Sequence, residues 1–328
     1  MKIAVIGDGG WGTTLAIILC NKGYDVNIWS AFENYARYIS ENMENPKYLP
    51  GIRLPSNLEI THSVEDTVKD IQIIVFAVPS NYIRSVAGLF SNKGLENKIV
   101  LSAAKGIEEN TLKTMSEVLR EVLLLKNIAV ISGPNIAIEI AKGLPASTVI
   151  ACIDNNIARR LQEIFIGKNF RAYTTDDVIG VEMGGALKNI IAIAAGVSDG
   201  LGFGANTKAA LMVRGMVEIT RLGIALGGRR ETFFGLSGMG DLITTCLSAN
   251  SRNRTFGESI CSGENPLEIF SKSIFVIEGV RTTKAALGLA LRYSIEMPIT
   301  KEVNDIIFNK KDPRCAVEDL MTRAAKPE

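Results

Sequence analysis

The chain has 328 residues, of which 47% are hydrophobic and 22% are charged, and its formal net charge is +1. This length suits two domains with ordinary hydrophobic cores, and the balanced charge gives no reason to expect nucleic acid as a partner. Five scattered cysteines without a Cys-x-x-Cys pair predict reduced thiols, with neither disulfides nor a metal site, so the expected location is the cytoplasm.

The hydropathy pattern predicts no stable insertion into a membrane. The most apolar stretches, near 128–153 and 184–197, are interrupted by lysine, glycine or proline, and we interpret them as too short or too broken to span a bilayer. No charged leader with an apolar core precedes the first recognisable motif, so no secretory signal is expected.

The first element in the chain is a short apolar strand, residues 2–6, followed by a glycine-rich turn and then by helix-forming sequence. The turn at 7–12, Gly-Asp-Gly-Gly-Trp-Gly, has the Gly-x-Gly-x-x-Gly spacing of dinucleotide-binding proteins. Gly7 allows the tight turn, Gly9 lets the backbone approach a pyrophosphate, and Gly12 lets the helix lie close to the sheet. The N–H groups of the helix N-terminus can bind the anion. A glycine-rich turn without a ligand is the alternative.

The first half of the chain alternates short β-branched runs with helical stretches. This alternation predicts an α/β fold with a Rossmann-type, doubly wound parallel sheet. We predict strands at 2–6, 26–29, 73–77, 99–102, 128–131 and 148–151, and helices at about 12–22, 32–42, 81–91, 111–124, 135–142 and 155–165. The proline-containing segment 43–57 is interpreted as a loop insertion.

The second half of the chain favours helix almost throughout. We predict breaks between helices at 200–204, 227–228, 238–240 and 250–253. The glycine-rich stretch at 200–204 follows a helix and not a strand, so we interpret it as a bend and not as a second nucleotide loop. The sequence therefore predicts a Rossmann domain at 1–175 and an all-α domain at 176–328.

The predicted helical domain contains the strongest candidate for acid–base chemistry. Lys188 is the only charged residue in the apolar stretch 184–196, which predicts a buried helix. Burial disfavours an ammonium ion and lowers the pKa of lysine, so a lysine here can act as a general acid toward an alkoxide. A lysine that extends along apolar surface to reach water is the alternative. The single histidine, His62, lies in a polar stretch and is interpreted as a surface residue.

Residues at the ends of two predicted strands are further candidates. Lys105 follows the strand at 99–102, and Gly133 and Asn135 follow the strand at 128–131. Open parallel sheets bind ligands at the carboxyl ends of their strands, so both positions favour ligand contact. An ordinary loop lysine and an ordinary turn glycine are the alternatives.

Two polar groups in the helical half could complete the site. Asp241 lies in a tight glycine-containing turn, where it could hold a charged Lys188 in place or simply cap a helix. Ser251, Arg252 and Asn253 directly precede a predicted helix, and this combination predicts an oxyanion site, with a solvated helix cap as the alternative.

The ordered set of motifs resembles the bacterial NAD(P)-dependent glycerol-3-phosphate dehydrogenases over nearly the whole chain. The motifs are the opening glycine loop with Trp11, Val-Pro-Ser at 78–80, Lys-Gly at 105–106, Ile-Ser-Gly-Pro at 131–134, Gly-Gly-Ala-Leu-Lys-Asn at 184–189, Gly-Leu-Gly-Phe-Gly-Ala-Asn at 200–206, Gly-Met-Gly-Asp-Leu at 238–242, Thr-Cys at 245–246, Ser-Arg-Asn at 251–253, Glu-Gly at 278–279 and Glu-Met-Pro-Ile at 296–299. The resemblance implies a homodimer that interconverts dihydroxyacetone phosphate and sn-glycerol 3-phosphate by hydride transfer with NAD or NADP. It also implies that the product supplies phospholipid synthesis.

The resemblance implies roles for individual residues. Lys188 would be the catalytic acid and base, with Lys105 and Asp241 at the reacting centre. The substrate would be bound by Lys105, Gly133, Asn135, Lys188, Asp241, Thr245, Ser251, Arg252 and Asn253. The dinucleotide would be bound by Gly7, Gly9, Gly10, Trp11, Gly12, Lys105, Ala137, Arg252, Val276 and Glu278. No metal ion is implied.

The chain departs from the family pattern in two places. Ala31 stands where members that favour NADP usually carry arginine, and no aspartate ends the second strand to bind a ribose hydroxyl. Glu33 would favour NAD and Arg37 would favour NADP, so the preference stays open. The second departure, at Asn135 and Ile136, changes the lining near the substrate without removing a charge.

Two other functions fit parts of the pattern. Another two-domain dehydrogenase, acting on a hydroxy acid or a sugar-acid phosphate, would keep the nucleotide loop and a catalytic lysine. A nucleotide sensor without turnover would keep the fold, but it would be expected to have lost at least one of Lys188, Asp241 and Arg252.

Overall fold

The computed structural model describes residues 1–325 and divides the chain into two compact units. Residues Met1–Lys105 and Lys113–Glu182 form the first, which we call the sheet unit. Residues Gly106–Leu112 and the chain from Met183 onward form the second, which we call the helical unit.

The sheet unit contains an eight-stranded sheet and a separate two-stranded hairpin. The strands are β1 (Lys2–Ile6), β2 (Asp25–Trp29), β3 (Glu44–Asn45), β4 (Leu49–Arg53), β5 (Leu58–Thr61), β6 (Ile71–Phe76), β7 (Ile99–Ser102), β8 (Ile128–Ser132), β9 (Ala146–Ala151) and β10 (Phe170–Thr175). The large sheet has the order β10-β9-β8-β7-β6-β1-β2-β5, and β3 pairs with β4. The helices are α1 (Gly10–Asn21), α2 (Glu33–Asn42), α3 (Val64–Val68), α4 (Ile83–Phe90), α5 (Met115–Leu123), α6 (Ala137–Ala141) and α7 (Asn155–Phe165).

Apolar side chains on both faces of β1 explain why this sheet is covered on both sides. Ile3 and Val5 pack into one hydrophobic cluster, while Ala4 and Ile6 pack into another. A strand buried on both faces reads as a continuous apolar run, which is the pattern that predicted a doubly wound sheet. The predicted α/β fold class and all six predicted strands are confirmed.

The structure corrects several details of the predicted sheet. Strands β5 and β10 were missed, and β8 pairs with β9 antiparallel, so the sheet is not wholly parallel. Helix α6 has five residues and covers about 7.5 Å, less than half of the roughly 17 Å of β8, so it does not return the chain to the start of that strand. The segment 43–57 is not only a loop, because it contains the β3–β4 hairpin.

Helix α5 begins later than predicted. It starts at Met115 and not at 111, because Thr114 forms a capping box with Glu117 that fixes the N-terminus. Just before it, Leu112 has a left-handed backbone with φ of 60°, which cannot belong to a right-handed helix.

The helical unit is built from α8 to α16, and the predicted all-helical character is confirmed. The helices are α8 (Val178–Gly200), α9 (Ala205–Ala225), α10 (Arg230–Phe233), α11 (Asp241–Leu247), α12 (Arg252–Ile260), α13 (Pro266–Lys272), α14 (Glu278–Arg292), α15 (Pro298–Phe308) and α16 (Pro313–Met321). A π-helical turn, Leu236–Gly240, precedes α11. The chain passes from one unit to the other within α8.

Helix α8 is longer than the sequence suggested. With 23 residues, it is the one helix among residues 1–325 that is long and apolar enough to cross a membrane by length and composition. The expectation that this segment is too short was therefore wrong. Since 89% of its most apolar window is buried inside the protein, it has the burial of a core helix.

Candidate active site

The glycine turn at the start of the chain is held by close backbone contacts. Gly7 has φ of +116°, and a Cβ there would lie 2.9 Å from the carbonyl oxygen of Ala77. A Cβ on Gly12 would lie 2.1 Å from the carbonyl oxygen of Gly7, so α1 touches the end of β1 directly. A Cβ on Gly10 would lie 2.9 Å from the carbonyl oxygen of Tyr48. Side chains are therefore excluded at all three positions by the protein itself.

Other groups of the same turn fit a dinucleotide. A Cβ built on Gly9 meets nothing within 4 Å, so this position faces open space. No side chain among the described residues caps the N-terminus of α1. The indole Nε1 of Trp11 is buried and has no hydrogen-bond partner in residues 1–325. An uncapped helix N-terminus above a glycine turn is the arrangement that binds a pyrophosphate.

Two polar residues that the sequence analysis did not single out support this turn. Asp8 accepts a hydrogen bond from Ser30 Oγ at its Oδ2 atom (2.6 Å), and burial raises the pKa of its carboxyl group. Asn45, in the hairpin, donates from Nδ2 to the Asp8 carbonyl (2.7 Å) and to Thr13 Oγ1 (2.8 Å). The hairpin thus fastens the glycine turn. The only available signal was an asparagine within a proline-containing loop.

The end of β2, which would select between NAD and NADP, carries no strong charge preference. Ala31 is exposed, and the exposed side chains of Glu33 and Arg37 pair with each other at 3.2 Å. His62 is exposed, and its Nδ1 atom lies 2.9 Å from the carbonyl oxygen of Ser30.

At the carboxyl ends of β7 and β8, Lys105 and Gly133 are in contact. Lys105 Nζ donates a hydrogen bond to the Gly133 carbonyl at 3.0 Å. Asn135 donates from Nδ2 to the Ser147 carbonyl and accepts at Oδ1 from Thr148 Oγ1, each at 3.0 Å. These bonds tie the loop after β8 to β9.

Ala137, the first residue of α6, lies beside the glycine turn. Its carbonyl accepts a hydrogen bond from Thr14 Oγ1 at 3.1 Å. The Cβ atom of Ala137 lies 3.7 Å from the position that a Cβ built on Gly10 would occupy. The N-terminus of α6 is therefore fixed against α1.

In the helical unit, Lys188 forms a buried centre with Asp241 and Thr245. Lys188 is 7% exposed and Asp241 is 2% exposed. Lys188 Nζ donates to Asp241 Oδ1 at 2.7 Å and to Thr245 Oγ1 at 2.5 Å. Thr245 Oγ1 in turn donates to the Asp241 carbonyl at 2.6 Å. An ammonium group is stable in such a place only when it is paired and hydrogen-bonded in this way.

Close packing of glycines places the two charged partners face to face. A Cβ on Gly184 of α8 would lie 2.8 Å from the Ser237 carbonyl, so α8 lies directly on the turn before α11. A Cβ on Gly238 would lie 2.1 Å from the Phe233 carbonyl. Asp241 is the first residue of α11 and not its cap, which leaves its carboxylate for Lys188.

The start of α12 contains three of the predicted substrate residues, Ser251, Arg252 and Asn253. Ser251 caps the helix, since its Oγ accepts from the Arg254 N–H at 3.3 Å. Arg252 is exposed, and its guanidinium carbon lies 4.6 Å from the centre of the Phe275 ring. A helix N-terminus with an exposed arginine can bind a phosphate.

Asn253 connects three helices of the helical unit. It is 8% exposed, and its Nδ2 donates to Asn189 Oδ1 at 2.9 Å. Its Oδ1 accepts from the Gly279 N–H at 2.9 Å. Asn189, next to Lys188, was not singled out from the sequence, although a second polar residue in that apolar stretch was a signal. Glu278 begins α14, and Val276 is half-buried just before it.

The predicted site residues therefore form separate groups. The glycine turn, Lys105, Gly133, Asn135 and Ala137 lie in the sheet unit, while Lys188, Asp241, Thr245, the start of α12, Val276 and Glu278 lie in the helical unit. Within residues 1–325, no three His, Cys, Asp or Glu side chains are grouped so that they could hold a metal ion.

Comparison with known proteins identifies a family. Residues 2–158 match the family model described as NAD-dependent glycerol-3-phosphate dehydrogenase N-terminus, and residues 177–318 match the corresponding C-terminus model. The chain is 45% identical over 330 residues to glycerol-3-phosphate dehydrogenase (NAD(P)+) of Fusobacterium nucleatum, covering 100% of this chain and 98% of the relative. It is 46% identical over 332 residues to that of Prosthecochloris aestuarii, covering 100% of both.

Solved structures agree with the sequence comparison. Glycerol-3-phosphate dehydrogenase from Coxiella burnetii superimposes with a TM-score of 0.94 at 36% identity, over 98% of this chain and 99% of that one. A ketopantoate reductase from Ralstonia eutropha superimposes with a TM-score of 0.61 at 14% identity, over 98% of this chain and all of that one, and shares the fold alone. On these matches, the chain belongs to the NAD-dependent glycerol-3-phosphate dehydrogenase family.

Proposed function

We propose that this chain is an NAD(P)-dependent glycerol-3-phosphate dehydrogenase that interconverts dihydroxyacetone phosphate and sn-glycerol 3-phosphate. The names of relatives at 45–46% identity over the full chain support this reaction. The observation that carries it is the buried Lys188, paired with Asp241 and Thr245 in a helix that is otherwise apolar.

Lys188 acts as the general acid when the ketone is reduced. The bound nicotinamide supplies the hydride. Lys188 Nζ gives the balancing proton to the carbonyl oxygen, and it takes that proton back in the reverse direction. Asp241 and Thr245 hold Nζ in one orientation through bonds of 2.7 and 2.5 Å. Lys105 stabilises the negative charge that develops on the oxygen.

The far end of the substrate is held as a phosphate dianion. Arg252 supplies a guanidinium, while Ser251, Asn253 and the N-terminus of α12 supply neutral hydrogen-bonding groups. Gly133 and Asn135 line the substrate from the loop after β8. Binding energy at the phosphate also orients the carbonyl, so this anchor contributes to turnover as well as to affinity.

The dinucleotide is held chiefly by the glycine turn. Gly9, Gly10, Trp11 and Gly12 bind it through backbone and indole donors, and Gly7, whose N–H donates to the Trp29 carbonyl at 2.9 Å, lines it as part of the turn. Lys105, Ala137, Arg252, Val276 and Glu278 make further contacts. An uncapped α1 and the unpartnered Nε1 of Trp11 support this assignment. Ala31 leaves both NAD and NADP as cofactors.

The domain boundaries, the location, the oligomeric state and the use of the product are also proposals. We place the nucleotide domain at 1–175 and the substrate domain at 176–328, and we propose a cytoplasmic homodimer without membrane insertion that supplies phospholipid synthesis. The burial of α8 supports the absence of membrane insertion. Light scattering after size exclusion would test the dimer.

The decisive experiment measures NADH and NADPH oxidation with dihydroxyacetone phosphate, and uses unphosphorylated dihydroxyacetone as the control. We expect rapid turnover that requires the phosphate. Tight nucleotide binding without turnover of either substrate would reject the proposed reaction.

A further inference from the structure

An ion cluster lies at the end of α8, beside the first turn of α12. The carboxylate of Asp199, whose side chain is 13% exposed, pairs with two cations. Its Oδ1 lies 2.5 Å from Lys208 Nζ of α9, and its Oδ2 accepts from Arg254 Nε of α12 at 2.6 Å. None of these three residues is among the substrate or cofactor residues proposed above.

Arg254 belongs to the turn that carries the proposed phosphate residues. It is the third residue of α12, and its N–H is the group capped by Ser251. A Cβ on Gly196 would lie 1.9 Å from the Arg254 carbonyl, so the backbone of this turn rests directly on α8. A displacement of the Arg254 side chain would therefore also displace the first turn of α12.

The first turn of α12 has two side-chain anchors on α8. Asn253 is bonded to Asn189, and Arg254 is bonded to Asp199. The two anchor points on α8 are ten residues apart, which is about 15 Å of helix rise. Together with the backbone contact at Gly196, two widely separated side-chain anchors fix both the position and the rotation of the turn.

We propose that Asp199 is a positioning residue for the substrate phosphate. Through Arg254 it holds the first turn of α12 so that Arg252 and the helix N-terminus face the phosphate. Its negative charge also reduces the repulsion between Lys208 and Arg254 beside that turn, where Glu258 Oε2 lies 3.8 Å from Arg254 Nη2 as a second acidic partner. The proposal rests on the proposed function, because it assigns the phosphate to α12.

The test is the Asp199→Asn variant, which keeps the side-chain shape and removes the charge. We expect the KM for dihydroxyacetone phosphate to rise about five- to tenfold because the anchor is misplaced. At saturating NADH, the kcat/KM for unphosphorylated dihydroxyacetone should stay within about twofold, because that substrate has no phosphate to anchor. Inorganic phosphate, used as a competitive inhibitor, should lose affinity by a similar factor.

A matched control is Asp305→Asn in α15, whose carboxylate is 17% exposed and pairs with Lys301. It should leave the kinetic constants of both substrates and the affinity for inorganic phosphate unchanged. An equal loss with the phosphorylated and unphosphorylated substrates, or no change in Asp199→Asn, would overturn the proposal.

Two further variants locate the effect within the cluster and cover a failure of Asp199→Asn to fold. Arg254→Lys keeps the charge but not the Nε donor, so the KM for dihydroxyacetone phosphate should rise by an intermediate factor. Lys208→Met leaves the bond between Asp199 and Arg254 in place and should leave that KM within about twofold. A rise confined to Lys208→Met would refute the role of Arg254. If the unmodified protein does not prefer the phosphorylated substrate, the proposed function fails, and the positioning role that rests on it fails with it.

Discussion

The glycine turn of the sheet unit and the Lys188 centre of the helical unit are built in opposite ways. The turn comes from six consecutive residues, 7–12, and offers backbone groups to a ligand, since Gly7, Gly10 and Gly12 have no room for a side chain. The centre depends on side chains, and its two charged members are 53 positions apart in the chain. A contiguous backbone motif is recognisable from local sequence, whereas a centre built from several helices exists only after the helices pack.

This difference predicts different consequences of mutation. In the glycine turn, a methyl group added to a closely packed glycine should lower stability more than a change in an existing side chain. The reason is that the close contacts there involve backbone atoms. In the centre, loss of one polar atom should abolish chemistry while the surrounding packing persists.

Replacement of Lys188 by alanine should have the largest effect on turnover. We expect kcat to fall by about 10²–10⁴-fold, the usual contribution of a general acid, while NADH binding stays intact. Steady-state kinetics and NADH titration by fluorescence measure the two quantities. Lys272→Ala, on the exposed face of α13, is the control and should behave as the unmodified protein does. Retained turnover in Lys188→Ala would reject the general-acid role.

Replacement of Arg252 by alanine should affect the phosphorylated substrate selectively. A charged hydrogen bond contributes about 1.5–3 kcal/mol, so kcat/KM for dihydroxyacetone phosphate should fall about tenfold or more. At saturating NADH, unphosphorylated dihydroxyacetone should react at its former rate. Arg292→Ala, exposed at the end of α14, is the matched control. An unchanged kcat/KM for the phosphorylated substrate in Arg252→Ala would show that the phosphate binds elsewhere.

The same contrast explains how much could be predicted from the sequence. Apolar runs at the period of buried strands predicted β1 and β6–β9, because both faces of those strands pack in cores. Strand β10 was missed because Arg171 and Tyr173 alternate with buried Phe170 and Ala172, so its apolar run is broken. The antiparallel direction of β9 depends on the short α6, whose length was overestimated.

The candidate site was predictable where one residue stands out from its neighbours. Lys188 stands out in an apolar helix, and the ion pair with Asp241 is present in the structure. The only sequence signal of Asn45 and Asn189 is a polar residue in a loop or in an apolar stretch, and their roles depend on hydrogen bonds to residues distant in the chain. The amide of Asn253 is likewise engaged with two other helices, which no local pattern could show.

In the glycine turn, two alanine substitutions should separate folding from binding. Gly12→Ala places a Cβ 2.1 Å from the Gly7 carbonyl, and such overpacking costs about 1–3 kcal/mol, so the Tm should fall by several degrees. Gly9→Ala meets no protein atom within 4 Å, so its Tm should be unchanged while the KM for the dinucleotide rises severalfold. Gly88→Ala, in α4 and also without contacts within 4 Å, is the control and should change neither binding nor the fold. Equal effects of Gly9→Ala and Gly12→Ala on the Tm and on the KM for the dinucleotide would contradict the separate roles of these glycines in binding and folding.

Chemical modification of the thiols should have the smallest effect on activity. It tests whether solvent is excluded from the Lys188 centre. Cys246 is buried next to Thr245, and burial raises its pKa to about 12. At pH 8 this buried thiol is protonated, and the thiolate is the reactive form, so a charged thiol reagent should leave it unmodified. Cys315 is exposed and should react rapidly without loss of activity, and Cys315→Ser should abolish that rapid phase. Rapid modification of Cys246 with loss of activity would show that α11 opens in solution. In that case Lys188 would pair with Asp241 only part of the time. Solvent would then reach the Lys188 centre, as it reaches the glycine turn.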